Sequence, residues 1–364
     1  MSSTKEFVGF ERIPSGARAG CESRALARRE AARAEEPKTG RDSAVDFTKG
    51  TLVLCMVIYH SVNYMLGIHV DLKYLSFLPP SFILITGFLI GKVYLAKYRV
   101  AGFTVQRRLV VRGVKLLLIF TALNALAAFL IGKNYNGRDL ALDDFLDNVG
   151  AIYLTGNGRW AVFEILVPIS YLLVLSALLV TVCQVGRWFL PALCVGVFIL
   201  IVSLGRLGLT FETLNLVAVG LLGILFGCIP DRHLESSARF LLLVMVGYIA
   251  YLWALTKWHQ VYWLQVCGVC LSVALIYMIG QKAWKNVVSR QVMWLGQYSL
   301  FAYILQIAML QALIRIWRRI GLERGGFVLS IVVTSAVILL AVQLLRFLRA
   351  RSRAADLCYR AAFG

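Results

Sequence analysis

His60 is the residue of this sequence that is best placed to do chemistry. It lies deep within an apolar segment that runs from Thr51 to Leu66, whereas the other three histidines fall between such segments. An ionisable side chain is costly inside a membrane and usually marks a function, and imidazole exchanges a proton near neutral pH. The alternative is a neutral histidine that is hydrogen-bonded within a helix bundle. The position of His60 alone does not decide between these interpretations.

Two charged residues are predicted to share a helix face with His60. Lys49 precedes His60 by eleven residues, which brings it to within about 20° of the same face and about 16 Å away along the helix axis. Asp46 lies one turn before Lys49 on that face. The pattern predicts a stripe with an ion pair at one membrane boundary and an imidazole well across the membrane. An interfacial ion pair without a catalytic role is the alternative for Asp46 and Lys49.

The connection from Lys92 to Lys115 holds the densest group of basic residues. Arg108 and Arg112 are spaced i, i+4, and Arg107 is adjacent to Arg108. The bias of positive charge toward one side of a membrane accounts for such residues. Arginine also binds phosphate through two parallel hydrogen bonds, so the cluster equally suits a phosphate-rich ligand. Both interpretations stay open.

Polar side chains within two later apolar segments are weaker site candidates. Glu164 lies about one turn inside the fourth segment, and we expect it to face a cavity or to pair with a base. Ser299, Tyr303 and Gln306 share one helix face at i, i+4 and i+7, and they link helices at the least. The long connection of residues 133–158 has the composition to bind a hydroxyl-rich substrate, although a solvated loop has the same composition.

Membrane-spanning helices are the elements that must position these residues. The chain has 364 residues, of which 59% are hydrophobic and only 16% are charged, and a soluble protein of this length could not bury so much apolar surface. Repeated apolar runs of about 20 residues indicate helices that cross a bilayer. The sequence therefore predicts an all-α, polytopic membrane helix bundle with about ten transmembrane helices, near residues 48–67, 77–97, 110–132, 159–183, 187–205, 212–230, 238–256, 260–281, 293–316 and 327–348.

The two ends of the chain differ from the membrane domain of residues 41–350. Residues 1–40 are rich in charged and small residues and predict a disordered cytoplasmic tail, and residues 351–364 predict a cytoplasmic C-terminal tail. The net charge is +19, but roughly 28 of the 38 Lys and Arg residues fall on the side of the N-terminus. The basic charge therefore indicates orientation rather than nucleic-acid binding, with both termini on the cytoplasmic side of the inner (plasma) membrane.

Cysteine spacing gives little reason to expect a redox or metal centre. Cys267 and Cys270 have the spacing of a redox pair, but they lie within an apolar run without the surroundings of a thioredoxin-like site. Small packing residues are the better interpretation of these cysteines. The sequence also lacks zinc-site spacing, so we expect no metal.

Four motifs in order resemble those of the membrane acyltransferase 3 family, and especially its glucan-modifying (OpgC-like) branch. The resemblance spans residues 41 to about 350. The matching positions are Lys49 and His60, eleven residues apart like the family's arginine and histidine; Phe82 with Thr86-Gly87-Phe88; Arg107-Arg108 with Arg112; and Leu295-Gly296 with Ser299, Tyr303 and Gln306. This sequence departs from the family pattern in three places: lysine replaces the first arginine, glutamine replaces a late histidine, and the third arginine lies one residue further along.

The resemblance implies acyl transfer from a cytoplasmic acyl-CoA to a hydroxyl of an extracytoplasmic glycan, with an acetyl or succinyl-like acyl group. Lys49 and the three arginines, Arg107, Arg108 and Arg112, would hold the phosphates of the donor. His60 would act as general base or would carry the acyl group covalently, and Asp46 would orient Lys49. Contacts with the substrate would come from Glu164, Tyr303 and Gln306.

A transporter is the competing interpretation. In a secondary transporter or flippase for a polar solute, His60 would belong to a proton relay. Inverted repeats with broken helices at matching positions would distinguish a transporter, and the sequence shows no convincing repeat. A sensor or scaffold with a structural His60 is a third interpretation. The composition itself requires the lipid bilayer as a partner, and it leaves open whether the chain forms a homodimer.

Overall fold

The computed structural model describes residues 42–65, 73–95, 102–131, 142–156, 161–182, 188–230, 238–258, 261–282, 286–322 and 325–363. The predicted N-terminal tail of residues 1–40 lies outside the described residues. So do His69, His233 and His259, together with residues 133–141 and 157–158 of the long connection.

All regular secondary structure of the described residues is helical, and these residues contain no strand, in agreement with the predicted all-α class. The α-helices are α1 (Ser43–Met65), α2 (Leu78–Leu89), α3 (Gly102–Ile131), α4 (Leu142–Asp147), α5 (Leu166–Val182), α6 (Phe189–Arg206), α7 (Glu212–Gly227), α8 (Leu241–Lys257), α9 (Tyr262–Gln281), α10 (Val287–Gln297), α11 (Ser299–Arg319), α12 (Phe327–Arg351) and α13 (Arg353–Phe363).

Seven of the described helices are long and apolar enough to cross a membrane, judged by length and composition: α1, α2 with its π-helical continuation to Leu95, α3, α6, α9, α11 and α12. Helices α5, α7 and α8 are also apolar, but they have only 16 or 17 residues. At 1.5 Å per residue such helices are somewhat shorter than a hydrocarbon core of about 30 Å. Each predicted span overlaps one of these ten helices, and the ninth span also includes the end of α10. The count of ten spans stays a prediction.

Helix α1 is held in place by backbone contact with α10. A Cβ atom at Gly50 would overlap the carbonyl oxygen of Val292, and a Cβ at Gly296 would overlap that of Asp46. Glycine at both positions therefore lets the two backbones touch, which is how helices in membranes approach most closely. Leu52, two residues further along α1, is completely buried. These contacts fix the rotation of α1 and hence the direction in which its other faces point.

The predicted ninth span, residues 293–316, is divided in the structure. Helix α10 ends at Gln297 and α11 begins at Ser299, because Tyr298 leaves helical geometry with φ −112° and ψ 28°. The hydroxyl of Tyr298 accepts a hydrogen bond of 3.0 Å from Arg349. The helix is thus interrupted at a residue that contacts α12, and the apolar run alone does not predict this interruption.

Residues 351–364, which the sequence predicts to be a tail, include the amphipathic helix α13. The ring of Tyr359 lies edge-on to Tyr298 at 5.2 Å between centroids, and Phe363 lies edge-on to Phe301 at 6.2 Å. An ion pair of 2.6 Å joins Arg349 of α12 to Asp356 of α13. Helix α13 thus packs against the start of α11.

Close contact between α2 and α7 generates a prediction for stability. A Cβ at Gly87 would overlap the carbonyl oxygen of Gly220, whereas a Cβ at Gly196 in α6 would meet no atom within 4 Å. We expect Gly87→Ala to destabilise the protein by about 1–3 kcal/mol through overpacking. Gly196→Ala should cause no loss, because alanine favours the helix. Thermal unfolding in detergent measures both variants, and equal unfolding midpoints would contradict this account of the contact.

Candidate functional site

A cavity of about 340 Å³ lies among α1, α2, α3, α5 and α11, and α13 covers part of it. Aliphatic and aromatic side chains make up most of its lining. Three of the lining residues are cations: Lys49 from α1, and Arg112 and Lys115 from α3. Lys49 and Lys115 are half-buried and Arg112 is exposed. Three positive charges around one cavity favour the approach of an anion.

The structure brings together two of the predicted donor-binding residues, Lys49 and Arg112, although they belong to different helices. The guanidinium of Arg112 donates a hydrogen bond of 2.8 Å to the hydroxyl of Tyr94, which fixes its orientation. Lys115 was not among the predicted site residues. Its spacing of i+3 from Arg112 was the signal that could have identified it.

Arg107 and Arg108, the other two predicted donor-binding residues, lie outside the cavity. Both are exposed on the first turns of α3. The charge at the cavity therefore comes from Lys49, Arg112 and Lys115, and the two earlier arginines face the surroundings of the protein.

His60 lies between two aromatic rings of its own helix. Its ring centroid is 5.3 Å from that of Tyr59, in an edge-on arrangement, and 5.3 Å from that of Tyr64, in a stacked arrangement. The Nε2 atom of His60 is buried and makes no hydrogen bond with any described residue. An imidazole nitrogen in this state can accept a proton or a hydrogen bond from a polar group that reaches it.

Tyr303 connects this aromatic group to the cavity. The side chain is buried on α11 and lines the cavity. Tyr59, Tyr64 and Glu164 all lie close enough to Tyr303 to act on its hydroxyl electrostatically. The cavity lining includes neither His60 nor Glu164, so Tyr303 is the residue through which the cationic cavity and the surroundings of His60 meet.

Gln306 is completely buried three residues after Tyr303 on α11. Neither its Oε1 nor its Nε2 atom makes a hydrogen bond with a described residue, and the side chain does not line the cavity. An amide in this state carries both a donor and an acceptor that can bind a polar group. The structure thus places Gln306 within the bundle, one turn from Tyr303, rather than on the cavity wall.

Glu164 and Asp46 occupy contrasting environments. Glu164 is exposed, in the short segment that leads into α5, and the neighbouring residue Phe163 has a left-handed backbone with φ 63°. Local residue patterns do not predict this unusual conformation. Asp46 is buried where α1 crosses α10, and it does not line the cavity. Its predicted role in orienting Lys49 stays a prediction.

Comparison with known proteins adds no family to this geometry. No protein-family model, curated protein or solved structure matches the chain. The site is therefore interpreted from its own residues: a cationic, largely apolar cavity that reaches Tyr303, and a histidine among the aromatic neighbours of that tyrosine.

Proposed function

We propose that this protein is a membrane-bound O-acyltransferase that moves an acetyl or succinyl-like group from acyl-CoA to a hydroxyl of a glycan. The observation that carries the proposal is a cavity lined by Lys49, Arg112 and Lys115. Tyr303 also lines this cavity and lies near Tyr59 and Tyr64, the aromatic neighbours of His60. The resemblance of the sequence motifs to the membrane acyltransferase 3 family supports the same reaction class.

The chemistry of acyl-CoA suits the lining of the cavity. The donor carries phosphates at one end and a flexible arm that ends in a thioester at the other. Lys49, Arg112 and Lys115 supply positive charge for the phosphates, and arginine adds the geometry for paired hydrogen bonds. The aliphatic walls suit the arm, because pockets for cofactors combine apolar surface with a few polar groups. Arg107 and Arg108, which are exposed on the same helix, would bind phosphate outside the cavity.

His60 is the proposed general base. Its Nε2 atom makes no hydrogen bond with described residues and would accept the proton of the glycan hydroxyl. The hydroxyl oxygen then attacks the thioester carbonyl, a C–O bond forms and the C–S bond breaks. The CoA thiolate takes up the proton that His60 had accepted, which returns His60 to its neutral form. The hydroxyl of Tyr303 would donate a hydrogen bond to the carbonyl oxygen as negative charge develops there. Covalent transfer through His60 is the second route.

The direction of transfer follows from the proposed topology. With ten spans and both termini in the cytoplasm, Lys49, Arg112 and Lys115 lie near the cytoplasmic side of the inner membrane. His60 lies eleven residues further along α1, about 16 Å closer to the opposite side. The donor would enter from the cytoplasm, and the glycan would approach from the other side, where Glu164 and Gln306 would contact it.

The three cavity cations generate a prediction for donor binding. We expect Lys49→Gln, Arg112→Gln and Lys115→Gln each to raise the Kd for coenzyme A about fivefold to tenfold, because each removes one charge-assisted contact with phosphate. Isothermal titration calorimetry of the detergent-purified protein measures these constants. Lys257→Gln is the matched control, since Lys257 is an exposed cation at the end of α8. A Kd that changes equally in all four variants would argue against a donor site in this cavity.

Acyl transfer itself is tested at His60. Purified protein is given isotope-labelled acetyl-CoA or succinyl-CoA with a glucan acceptor, and the labelled glucan is measured. We expect His60→Ala to lower the rate about 10²- to 10⁴-fold, as is typical when a general base is removed. Ser61→Ala is the control, because this buried neighbour also lacks a hydrogen bond with described residues and has no proposed role.

Two outcomes of this assay would contradict the proposal. Labelling of the glucan that survives in His60→Ala would remove His60 from the reaction. Uptake of a polar solute by the protein in liposomes, without any labelled glucan, would favour the transporter interpretation instead.

A further inference from the structure

A buried asparagine in α3 forms hydrogen bonds with the segment that carries Glu164. Asn124 is only 4% exposed. Its Nδ2 atom donates hydrogen bonds of 2.9 Å to the carbonyl oxygens of Phe120 and Val162, and its Oδ1 atom accepts one of 2.7 Å from the backbone N–H of Val162. The amide therefore uses both donor hydrogens and its acceptor oxygen. The side chain thus bonds to both the N–H and the carbonyl group of Val162, which is distant in the sequence.

The residue after Val162 has a strained backbone. Phe163 has φ 63°, and it is the one residue other than glycine with a positive φ in the described part of the chain. A bulky side chain rarely adopts this conformation, which persists only where the surroundings hold it. On the other side of the strained residue, the carbonyl oxygens of Phe163 and Glu164 accept backbone hydrogen bonds of 3.0 and 3.1 Å from the start of α5. The segment is thus fixed from α3 and from α5.

The strained segment meets the candidate site at Tyr303. The ring of Phe163 lies edge-on to that of Tyr303, with centroids 5.8 Å apart and planes at 80°, and Glu164 acts on Tyr303 electrostatically. A relaxed backbone at Phe163 would turn both side chains away, because reversing the sign of φ reorients everything that follows. The geometry beside Tyr303 therefore depends on a hydrogen-bonded amide on another helix.

We propose that Asn124 is a positioning residue: its side-chain amide holds Phe163 in the left-handed conformation and so keeps the ring of Phe163 edge-on to Tyr303 and Glu164 near it. Asn124 does not line the cavity and acts through these residues. The effect of Asn124 on transfer rests on the proposed acyltransferase function, whereas its effect on the backbone does not.

Hydrogen exchange of the backbone tests the structural part of this proposal. In the purified full-length protein, Asn124→Ala should raise the exchange rate of the Val162 amide about 10- to 100-fold, because two hydrogen bonds that hold this residue are lost. Asn124→Gln keeps the amide group but places it one methylene further from the backbone of α3. This variant should perturb folding less, and we expect its Val162 exchange rate to lie between those of the wild type and Asn124→Ala. Exchange of α12, which lies elsewhere in the bundle, should not change in either variant.

Steady-state kinetics with labelled acyl-CoA test the functional part. We expect Asn124→Ala to lower kcat about tenfold or more while the KM for the donor changes less than twofold, because the protein's donor-binding cations are unchanged. A general loss of structure would instead change both constants or reduce the amount of folded protein. Thr121→Val is the matched control: this hydroxyl on the same helix bonds to Tyr153 at 2.6 Å and not to the Val162 segment.

The outcomes separate the two proposals. Faster exchange at Val162 together with a selective fall in kcat supports Asn124 as a positioning residue. Unchanged exchange, or faster exchange with unchanged kcat, overturns it. If the wild-type protein transfers no acyl group, the proposed function fails, and the exchange rates alone then decide whether Asn124 holds the segment.

Discussion

The crossing of α1 with α10 is the contact on which the geometry of the candidate site depends. Gly50 and Gly296 let the two backbones touch, and a single Cβ at either position would force them apart. Because α1 carries both Lys49 and His60, the same crossing fixes the direction of the cation and that of the imidazole. In a membrane, where apolar burial gives helices little reason to associate, such close van der Waals contact is a main source of orientation.

Positive charge at the cavity is the second constraint, and it acts on α3. Lys49 of α1 and Arg112 and Lys115 of α3 line the same cavity. An anionic ligand bound there would be attracted by cations of both helices, so binding and the alignment of α1 with α3 would favour each other. Arg107 and Arg108 do not line the cavity and do not share in this constraint.

The sequence predicts the parts of this structure that depend on composition and local spacing. Apolar runs locate the long helices because a bilayer demands about 20 apolar residues, and the interval from Lys49 to His60 follows from helix geometry. The break at Tyr298, the helix formed by residues 353–363 and the left-handed Phe163 depend on tertiary contacts, which local patterns do not contain. For the same reason, the spacing of the basic residues does not show which of them line the cavity: Arg112 does and Arg107 does not.

The two sides of Tyr303 are held in different ways, which bears on how a transfer reaction would use them. Toward the cavity, α1 is held against α10 by backbone contact at Gly50. Toward Glu164, a strained residue is held by hydrogen bonds from Asn124, and such a segment can move when those bonds break. Under the proposed reaction a large glycan would need more room than a donor arm, so the side that is held by breakable hydrogen bonds would be the one suited to admit the acceptor.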